Sequence, residues 1–391
     1  MSHNGESMKI IVLELTGAGK LSHYSFCLCN EMVKKGNEVS LITSNNYELD
    51  DLERNFSVQK TSRFYYLKLL RLIRSFKPDV IHFQYLPNPF LDLLYLKFIK
   101  LLFRLKLVYT PHNLLPHHKR PYYFTVFNKI YKLVDSIIVH SDFNHYILRD
   151  QFAVEPAKIR VIPVGNYNIL FNSCINVSRD KARTKLGLDN HHKAILFFGY
   201  VRQDKGVEIL LRAFKMASEK VSDLKLIIAG KPVGEVQPDI LTNELGIDKD
   251  VIMDLRYIPL KKAALYFIAS DVVILPYQKV CHSPLIQFAY SFGRPVITTE
   301  YGREFVDDGK SGIITRSGDT HDLSGAIHRV FSHAGILHEM GQYARNLVET
   351  DFSWDTITNK ILSVYDDSEM FEDILSEGKV PQYERQIKPV S

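Results

Sequence analysis

Residues 276–312 read PYQKVCHSPLIQFAYSFGRPVITTEYGREFVDDGKSG, and the fold follows from how this stretch is punctuated. It opens where an apolar strand, DVVILPY (Asp271 to Tyr277), stops at a proline and a loop. Ser283-Pro284 then reads as a helix start, with serine at the N-cap and proline at the first helical position. The helix LIQFAYSF ends at Gly293, and PVITT (Pro295 to Thr299) begins another strand. A helix N-terminus therefore leaves the carboxyl end of a parallel strand. Ligands of open α/β sheets sit there, and free backbone N–H groups with the helix dipole favour a phosphate. An ordinary strand–loop–helix unit without a ligand is the plainer alternative.

The same alternation extends outward. Upstream in the second half lie the strand AILFFGY (Ala194 to Tyr200), the basic loop VRQDKG and the helix VEILLRAFKMA. LKLIIAG (Leu224 to Gly230) reads as a buried strand, RYIPLKKAALYFIAS as a short strand with a helix, and FSWDTITNKILSVY (Phe352 to Tyr365) as a late amphipathic helix. In the first half MKIIVLEL, NEVSLIT, KPDVIHFQY, KLVYTPHN, SIIVHS and KIRVIPVGN alternate with helical stretches. The fragment GAGK after the first strand is not a phosphate-binding P-loop, because the leading glycine of that motif would fall at Glu14 and its Ser/Thr at Leu21. It remains a small-residue loop that lets a ligand approach the backbone closely. No periodic pattern dominates from Tyr167 to His192, which places a linker there. The expected architecture is α/β: two Rossmann-like, doubly wound parallel-sheet domains facing a cleft. Residues 1–170 form the first, 171–352 the second, and a C-terminal helix from about 353 to 391 returns to the first.

Composition sets the frame. The chain has 391 residues, 46% hydrophobic and 24% charged, as a globular protein of two ordinary domains does. Lysines and arginines interrupt every apolar run before it reaches membrane-spanning length. The polar start, running directly into a strand, reads as lacking a signal peptide. Four scattered cysteines without metal-ligand spacing fit a reducing cytoplasm. The net charge of +5 conceals a local bias: residues 63–132 hold thirteen Lys or Arg against the acids Asp79 and Asp92. Basic residues interleaved with aromatics and leucines suit an anionic lipid surface, so peripheral contact with the inner face of the cytoplasmic membrane is expected. No nucleic-acid-binding motif accompanies the charge, and a solvated basic face is the alternative.

On these residues the chain resembles a retaining glycosyltransferase of the GT-B fold, in family 4, which uses nucleotide-sugar donors. The likeness rests on FFGYVRQDKGVEILLRAF, LIIAGKP, YIPLKKAALYFIASDVVILPY, KIRVIPVGN and FSWDTITNKILSVY in the expected order. It implies that Arg202 and Lys205 hold the donor diphosphate and act in catalysis. It implies also that Tyr257 and Ile258 flank the base pocket, and that Cys281, His282, Ser283, Pro284 and Leu285 line the sugar and phosphates. His112, in TPHN, falls where the family carries a histidine near the scissile bond, and Gly17 and Gly19 resemble the small residues against which the diphosphate or acceptor sits. Cations and N–H groups aimed at the leaving diphosphate stabilise the charge that grows in the transition state. With no acidic DxD motif in a donor loop, neither a metal nor a cofactor beyond the nucleotide-sugar co-substrate is expected.

Two departures stand out. The family often carries two glutamates in the organising loop; aligning Pro284 with the usual proline puts Lys279 at the first position and Gln287 at the second. Gln287 can still hold ribose hydroxyls, because its amide both donates and accepts. Lys279 replaces an acceptor with a cation, facing donor phosphate, an acidic sugar or solvent. The expected acceptor is a saccharide, carried on a polyprenyl diphosphate in surface polysaccharide assembly, with His117 and His118 as candidate contacts. The alternatives are a non-catalytic nucleotide-binding partner and a nucleotide-sugar epimerase on the same fold.

Overall fold

The computed structural model describes residues 7–62, 64–115, 122–168, 177–279, 284–333 and 335–366. The chain divides into two compact units, one running to Val164 and resuming at Trp354, the other Gly165–Ser353. These divisions stand beside expected boundaries at 170/171 and 352/353.

In the first unit seven strands form a sheet: β1 (Lys9–Leu13), β2 (Glu38–Ser44), β3 (Ser57–Thr61), β4 (Val80–Phe83), β5 (Lys106–Tyr109), β6 (Ser136–Val139) and β7 (Ile159–Val161). Their order is β3-β2-β1-β4-β5-β6-β7, and the described pairs are all parallel. Crossover helices follow the strands: α1 (Lys20–Lys34), α2 (Tyr66–Phe76), α3 (Pro89–Leu102), α4 (Tyr123–Leu133) and α5 (Asp142–Asp150). β1 is buried at Ile10 to Leu13 because helices cover both faces of a parallel sheet, which is why it reads as a continuous apolar run. One apolar cluster joins Ile11, Leu13, Ile81 and Phe83 of the strands to Leu69, Leu96 and Ile130 of α2, α3 and α4.

The second unit contains α6 (Arg179–Lys185), β8 (Lys193–Phe198), α7 (Val207–Ser218), β9 (Leu224–Ala229), α8 (Pro238–Leu245), β10 (Val251–Asp254), α9 (Leu260–Ala269), β11 (Val272–Leu275), α10 (Leu285–Ser291), β12 (Val296–Thr299), β13 (Gly312–Thr315), α11 (Thr320–Ser332) and α12 (Ile336–Glu349). Its sheet, ordered β10-β9-β8-β11-β12-β13, is again parallel throughout. The last helix, α13 (Trp354–Asp366), belongs to the first unit: Asp355 pairs with Lys35 at 2.5 Å, and the Lys106 ammonium donates to the Val364 carbonyl at 2.5 Å.

Four features differ from expectation. The short strand expected in RYIP is instead VIMD, Val251–Asp254, and β3 and β13 were not anticipated. All three of these strands lie at a sheet edge, where polar or half-exposed residues dilute the apolar run that identifies an inner strand. The polar helix α6 lies inside the expected linker; it lacks an apolar stripe and docks through the buried Arg183, whose guanidinium donates to the carbonyls of Asp189 and His192. Finally, α10 starts at Leu285, with Pro284 at the capping position and not inside the first turn. The expected cap, Ser283, lies outside the described residues, as do Cys281, His282, His117 and His118.

Candidate active site

Strand order reverses between β8 and β11 in the second sheet, and the loops leaving their carboxyl ends stand at the switch point where doubly wound folds bind ligands. Three glycines press these loops together. A Cβ on Gly206 (φ +74°) would lie 2.0 Å from the Pro276 carbonyl oxygen, and one on Gly230 would lie 1.7 Å from that of Gly199. No side chain fits either place, so the loop after β8 is clamped backbone to backbone against those after β9 and β11. Within it, residues Gln203–Lys205 make a 3-10 turn. The Lys205 ammonium lies 4.5 Å from the centre of the Tyr277 ring, a cation–π contact. The Arg202 guanidinium grips Asp204 through both carboxylate oxygens, Nη2 to Oδ2 at 2.7 Å, and the Gln278 N–H donates to the Asp204 carbonyl. Burial alone would raise the Asp204 carboxyl, but the Arg202 hydrogen bonds and the Lys205 charge hold it below the ordinary range. A phosphate approaching Arg202 therefore competes with a carboxylate already in place.

Gln287, in α10, is 1% exposed, and its side-chain carbonyl oxygen has no hydrogen-bond partner among the described residues. A buried acceptor left unmatched costs about 1–3 kcal/mol. Leu285 packs at the Gly199 turn, where a Cβ would sit 3.2 Å from its Cδ1. Lys279 and Tyr257 are exposed, whereas Ile258 is buried. The Asp189–His191–His192 cluster, whose ligand atoms lie within 4.8 Å of one another, precedes β8 and so sits at the opposite, amino-terminal edge of the sheet.

The first sheet reverses between β1 and β4, and two constructions stand at that edge. The first is the glycine loop. The Glu14 carboxylate, fully buried, accepts from the Thr16 N–H (2.6 Å), the Gly17 N–H (3.2 Å) and the hydroxyls of Thr16, Ser22 and Thr43. The residue that breaks the P-loop pattern is thus what shapes the loop. Gly17 (φ +72°) presses on β2: a Cβ there would lie 2.6 Å from that of Ser44. The Gly19 N–H donates to Glu48 at 2.7 Å, and Glu48 pairs with His23 at 2.5 Å. Burial raises the Glu48 carboxyl, but the hydrogen bond and charge from His23 outweigh it and hold it low.

The second construction is a row of imidazoles across the ends of β4, β5 and β6. Tyr365 lies 2.6 Å from His82 Nδ1, and Thr110 Oγ1 lies 2.6 Å from His82 Nε2. The Gln84 amide joins His82 (3.1 Å) to His112 Nε2 (2.7 Å). His112 Nδ1 lies 3.3 Å from His140 Nε2, and His140 Nδ1 donates to the Ile162 carbonyl at 2.9 Å. Burial lowers His82 to about 3 and His140 to about 4, and burial with neighbouring positive charge holds His112 well below its ordinary range. All three rings are therefore neutral, and the proton accounting then runs one way. His140 spends its proton on Ile162, and its bare Nε2 lies 3.3 Å from His112 Nδ1. Gln84 turns its side-chain carbonyl oxygen to His112 Nε2–H, which donates to it, and its NH2 donates to His82 Nε2, so His82 carries its proton on Nδ1 towards the Tyr365 oxygen. Tyr24 packs edge-on against His112, with ring centres 5.0 Å apart, and closes the row.

With this geometry in place, comparison with known proteins is decisive. Residues 22–165 match the profile of Glycosyltransferase Family 4, and residues 192–333 that of Glycosyl transferases group 1. The chain belongs to glycosyltransferase family 4. Its two parallel-sheet domains are those of GT-B glycosyltransferases. Sucrose-phosphate synthase from Thermosynechococcus elongatus superposes with a TM-score of 0.72 at 19% identity, covering 92% of this chain and 98% of that one. Anabaena HepE in complex with UDP gives 0.72 at 17% identity, covering 92% and 100%. Among curated relatives, D-inositol 3-phosphate glycosyltransferase of Corynebacterium aurimucosum is 25% identical over 246 residues, 61% of this chain and 58% of its own length. Spore coat protein SA of Bacillus subtilis is 25% identical over 248 residues, 60% of this chain and 65% of its own. The chain thus spans about three-fifths of the length of these relatives.

In this family 4 member, Arg202 and Lys205 share one loop, Leu285 and Gln287 share α10, and Gly17 and Gly19 share the loop after β1. Sequence reasoning passed over Glu14, Tyr277, Gln84, His82 and His140. A signal existed for some of them: His82 and Gln84 in VIHFQ, and His140 in IIVHS, are polar residues in or beside apolar strands, which buried sheets admit only when they are paired. Tyr277 carried no such mark.

Proposed function

We propose that this protein transfers a sugar, with retention of anomeric configuration, from a nucleoside-diphosphate sugar to a saccharide acceptor carried on a membrane lipid. The observation that carries the reading is the clamped basic loop, in which Gly206, wedged against Pro276, holds Lys205 and Arg202 at the switch point of the second sheet. The solved structures of HepE with UDP and with UDP-glucose support a donor of this class.

In the reaction the acceptor hydroxyl oxygen bonds to the anomeric carbon on the face from which the diphosphate departs. The bond from that carbon to the phosphate oxygen breaks, its electrons pass to the phosphate, and the same phosphate oxygen takes the hydroxyl proton. Lys205, and Arg202 once Asp204 yields to the ligand, stabilise the departing negative charge more than the ground state. No metal is assigned to this step. Gln287 offers its unmatched carbonyl oxygen to ribose hydroxyls. His112, kept neutral by its row with both ring nitrogens engaged, does not act as a cationic acid.

The lipid-linked acceptor is supported by α3. Its inward face buries Leu93, Leu96 and Ile99, yet the outward face exposes Phe90, Leu91, Leu94, Phe98, Leu101 and Leu102, with Lys97 and Arg104 beside them. A helix apolar all round is suited to a second apolar medium. No helix among the described residues is long and apolar enough to cross a membrane.

The test is thermal stability of the protein with UDP, GDP, ADP and their sugar conjugates, with and without chelator. A nucleotide at a hundredfold its dissociation constant stabilises by about 2.7 kcal/mol. We expect one base to give that shift regardless of chelator, and Lys205→Ala to abolish it. A full shift in Lys205→Ala would remove the phosphate assignment, and a chelator-sensitive shift would remove metal independence.

A further inference from the structure

Between Arg202 and Lys205 the clamped turn carries a carboxylate, Asp204, to which the transfer chemistry gives no part. It takes the Arg202 guanidinium through both of its oxygens, Nη2 to Oδ2 at 2.7 Å. A guanidinium makes the same two-pronged contact with a phosphate, so the carboxylate occupies the donors that a diphosphate would take. We infer that Asp204 sets the specificity of this site: it yields Arg202 to the nucleotide sugar, stays beside it, and turns the site against the more highly charged free nucleoside diphosphate. The assignment rests on the nucleotide-sugar reading.

The backbone keeps this carboxylate in place while its partner is exchanged. The Gln278 N–H donates to the Asp204 carbonyl at 3.0 Å, the Lys205 N–H to that of Arg202 at 2.9 Å and the Gly206 N–H to that of Gln203 at 3.0 Å. Two residues on, Gly206 is wedged against the Pro276 oxygen. Asp204 can therefore rotate its side chain but cannot leave. That side chain is 24% exposed against 41% for Arg202, so an anion arriving from solvent reaches the guanidinium first. Burial raises the Asp204 carboxyl, but the Arg202 hydrogen bonds and the Lys205 charge outweigh it, and the group is an anion at neutral pH.

Charge decides which ligand is favoured. Arg202, Asp204 and Lys205 together carry a single net positive charge. In a nucleotide sugar both phosphates are substituted, and each holds one negative charge. Once the sugar has left, the terminal phosphate ionises again with a pKa of about 6. The free diphosphate thus brings about one more negative charge to a turn that still holds a carboxylate, and like charges set close together repel. The donor enters against less repulsion than the product, and the carboxylate recovers Arg202 as the product departs.

The experiment is isothermal titration calorimetry on the full chain, at neutral pH, with UDP and UDP-glucose, GDP and GDP-mannose, and ADP and ADP-glucose. Wild type, Asp204→Asn and Asp204→Glu are compared, and their melting temperatures without ligand should agree. We expect one pair to bind, and Asp204→Asn to tighten its free diphosphate about fivefold but its sugar conjugate only about twofold, the scale of one half-exposed ion pair. Asp204→Glu, which keeps the charge, should stay within about twofold of wild type for both ligands. A pair left unchanged or changed equally by Asp204→Asn, weaker binding of both, or the same change in Asp204→Glu would overturn the role of Asp204 and leave the nucleotide reading standing. A folded wild type that binds none of these ligands would remove that reading and this assignment with it.

Discussion

Acidification should unfold the first unit through its histidine row, and the size of the effect follows from the burial. In the unfolded chain a histidine titrates near 6.5, whereas the fold lowers His82 to about 3 and His140 to about 4, with burial as the main cause and, for His140, the Lys20 charge adding to it. Above pH 6.5 both states hold neutral rings and the contribution is complete. As pH falls through 6.5 the unfolded chain binds protons that the fold refuses, and stability declines until the folded values are reached. Each such histidine removes about 1.4 kcal/mol per pH unit below 6.5, so the two together remove about 3 kcal/mol by pH 5.5, above the carboxylate range. His112 acts in the same direction. The chain's only tryptophan, Trp354, packs on Tyr24 with ring centres 5.2 Å apart, and Tyr24 touches both His112 and His140, so its fluorescence reports this unit. Between pH 7.5 and 5.5 the urea midpoint should fall by about 1–3 M, given slopes of about 1–3 kcal/mol per molar. His82→Gln, which keeps an acceptor and a donor but does not titrate, should cut that pH dependence by about a third. A midpoint independent of pH, or a full slope in the variant, would refute the reasoning.

Gly206→Ala places a Cβ in a left-handed backbone and 2.0 Å from the Pro276 oxygen. Backbone strain of about 1–2 kcal/mol and overpacking of about 1–3 kcal/mol sum to about 2–5 kcal/mol, or about 4–20 °C in the calorimetric midpoint of the second unit; an unchanged midpoint would mean the loops are not clamped. At the lipid surface, Leu94→Glu with Leu101→Glu removes two apolar side chains from α3 that are each worth about 1.5 kcal/mol or more when buried. Co-sedimentation with phosphatidylglycerol vesicles should then drop about 100-fold. Equal binding by wild type and variant, or equal binding to phosphatidylcholine, would defeat the proposed membrane contact.

The inner strands were legible from residue order because a parallel sheet covered on both faces demands unbroken apolar runs, as in IIVL, AILFF and DVVIL. The edge strands β3, β10 and β13 were not, since an edge tolerates Gln59, Lys60 and Asp254, residues that also suit loops. The glycines at 17, 206 and 230 were visible as letters, but only the folded chain reveals the carbonyl or side chain that each must clear.

By itself, the sequence determined two rounds of α/β alternation, the basic loop carrying Arg202 and Lys205, and the likeness to family 4, because strand burial and local turn chemistry are properties of contiguous residues. Tertiary structure alone decided that Asp204 engages Arg202, that Tyr277 lies under Lys205, and that Gln287 is buried with an unmatched oxygen. It alone joined His82, Gln84, His112, His140 and Tyr365, which the chain scatters from Val80 to Asp366, into one hydrogen-bonded row. Partners so far apart in sequence leave no mark on one another's neighbours; parallel crossovers bring successive strand ends to one edge, and only there do their side chains meet.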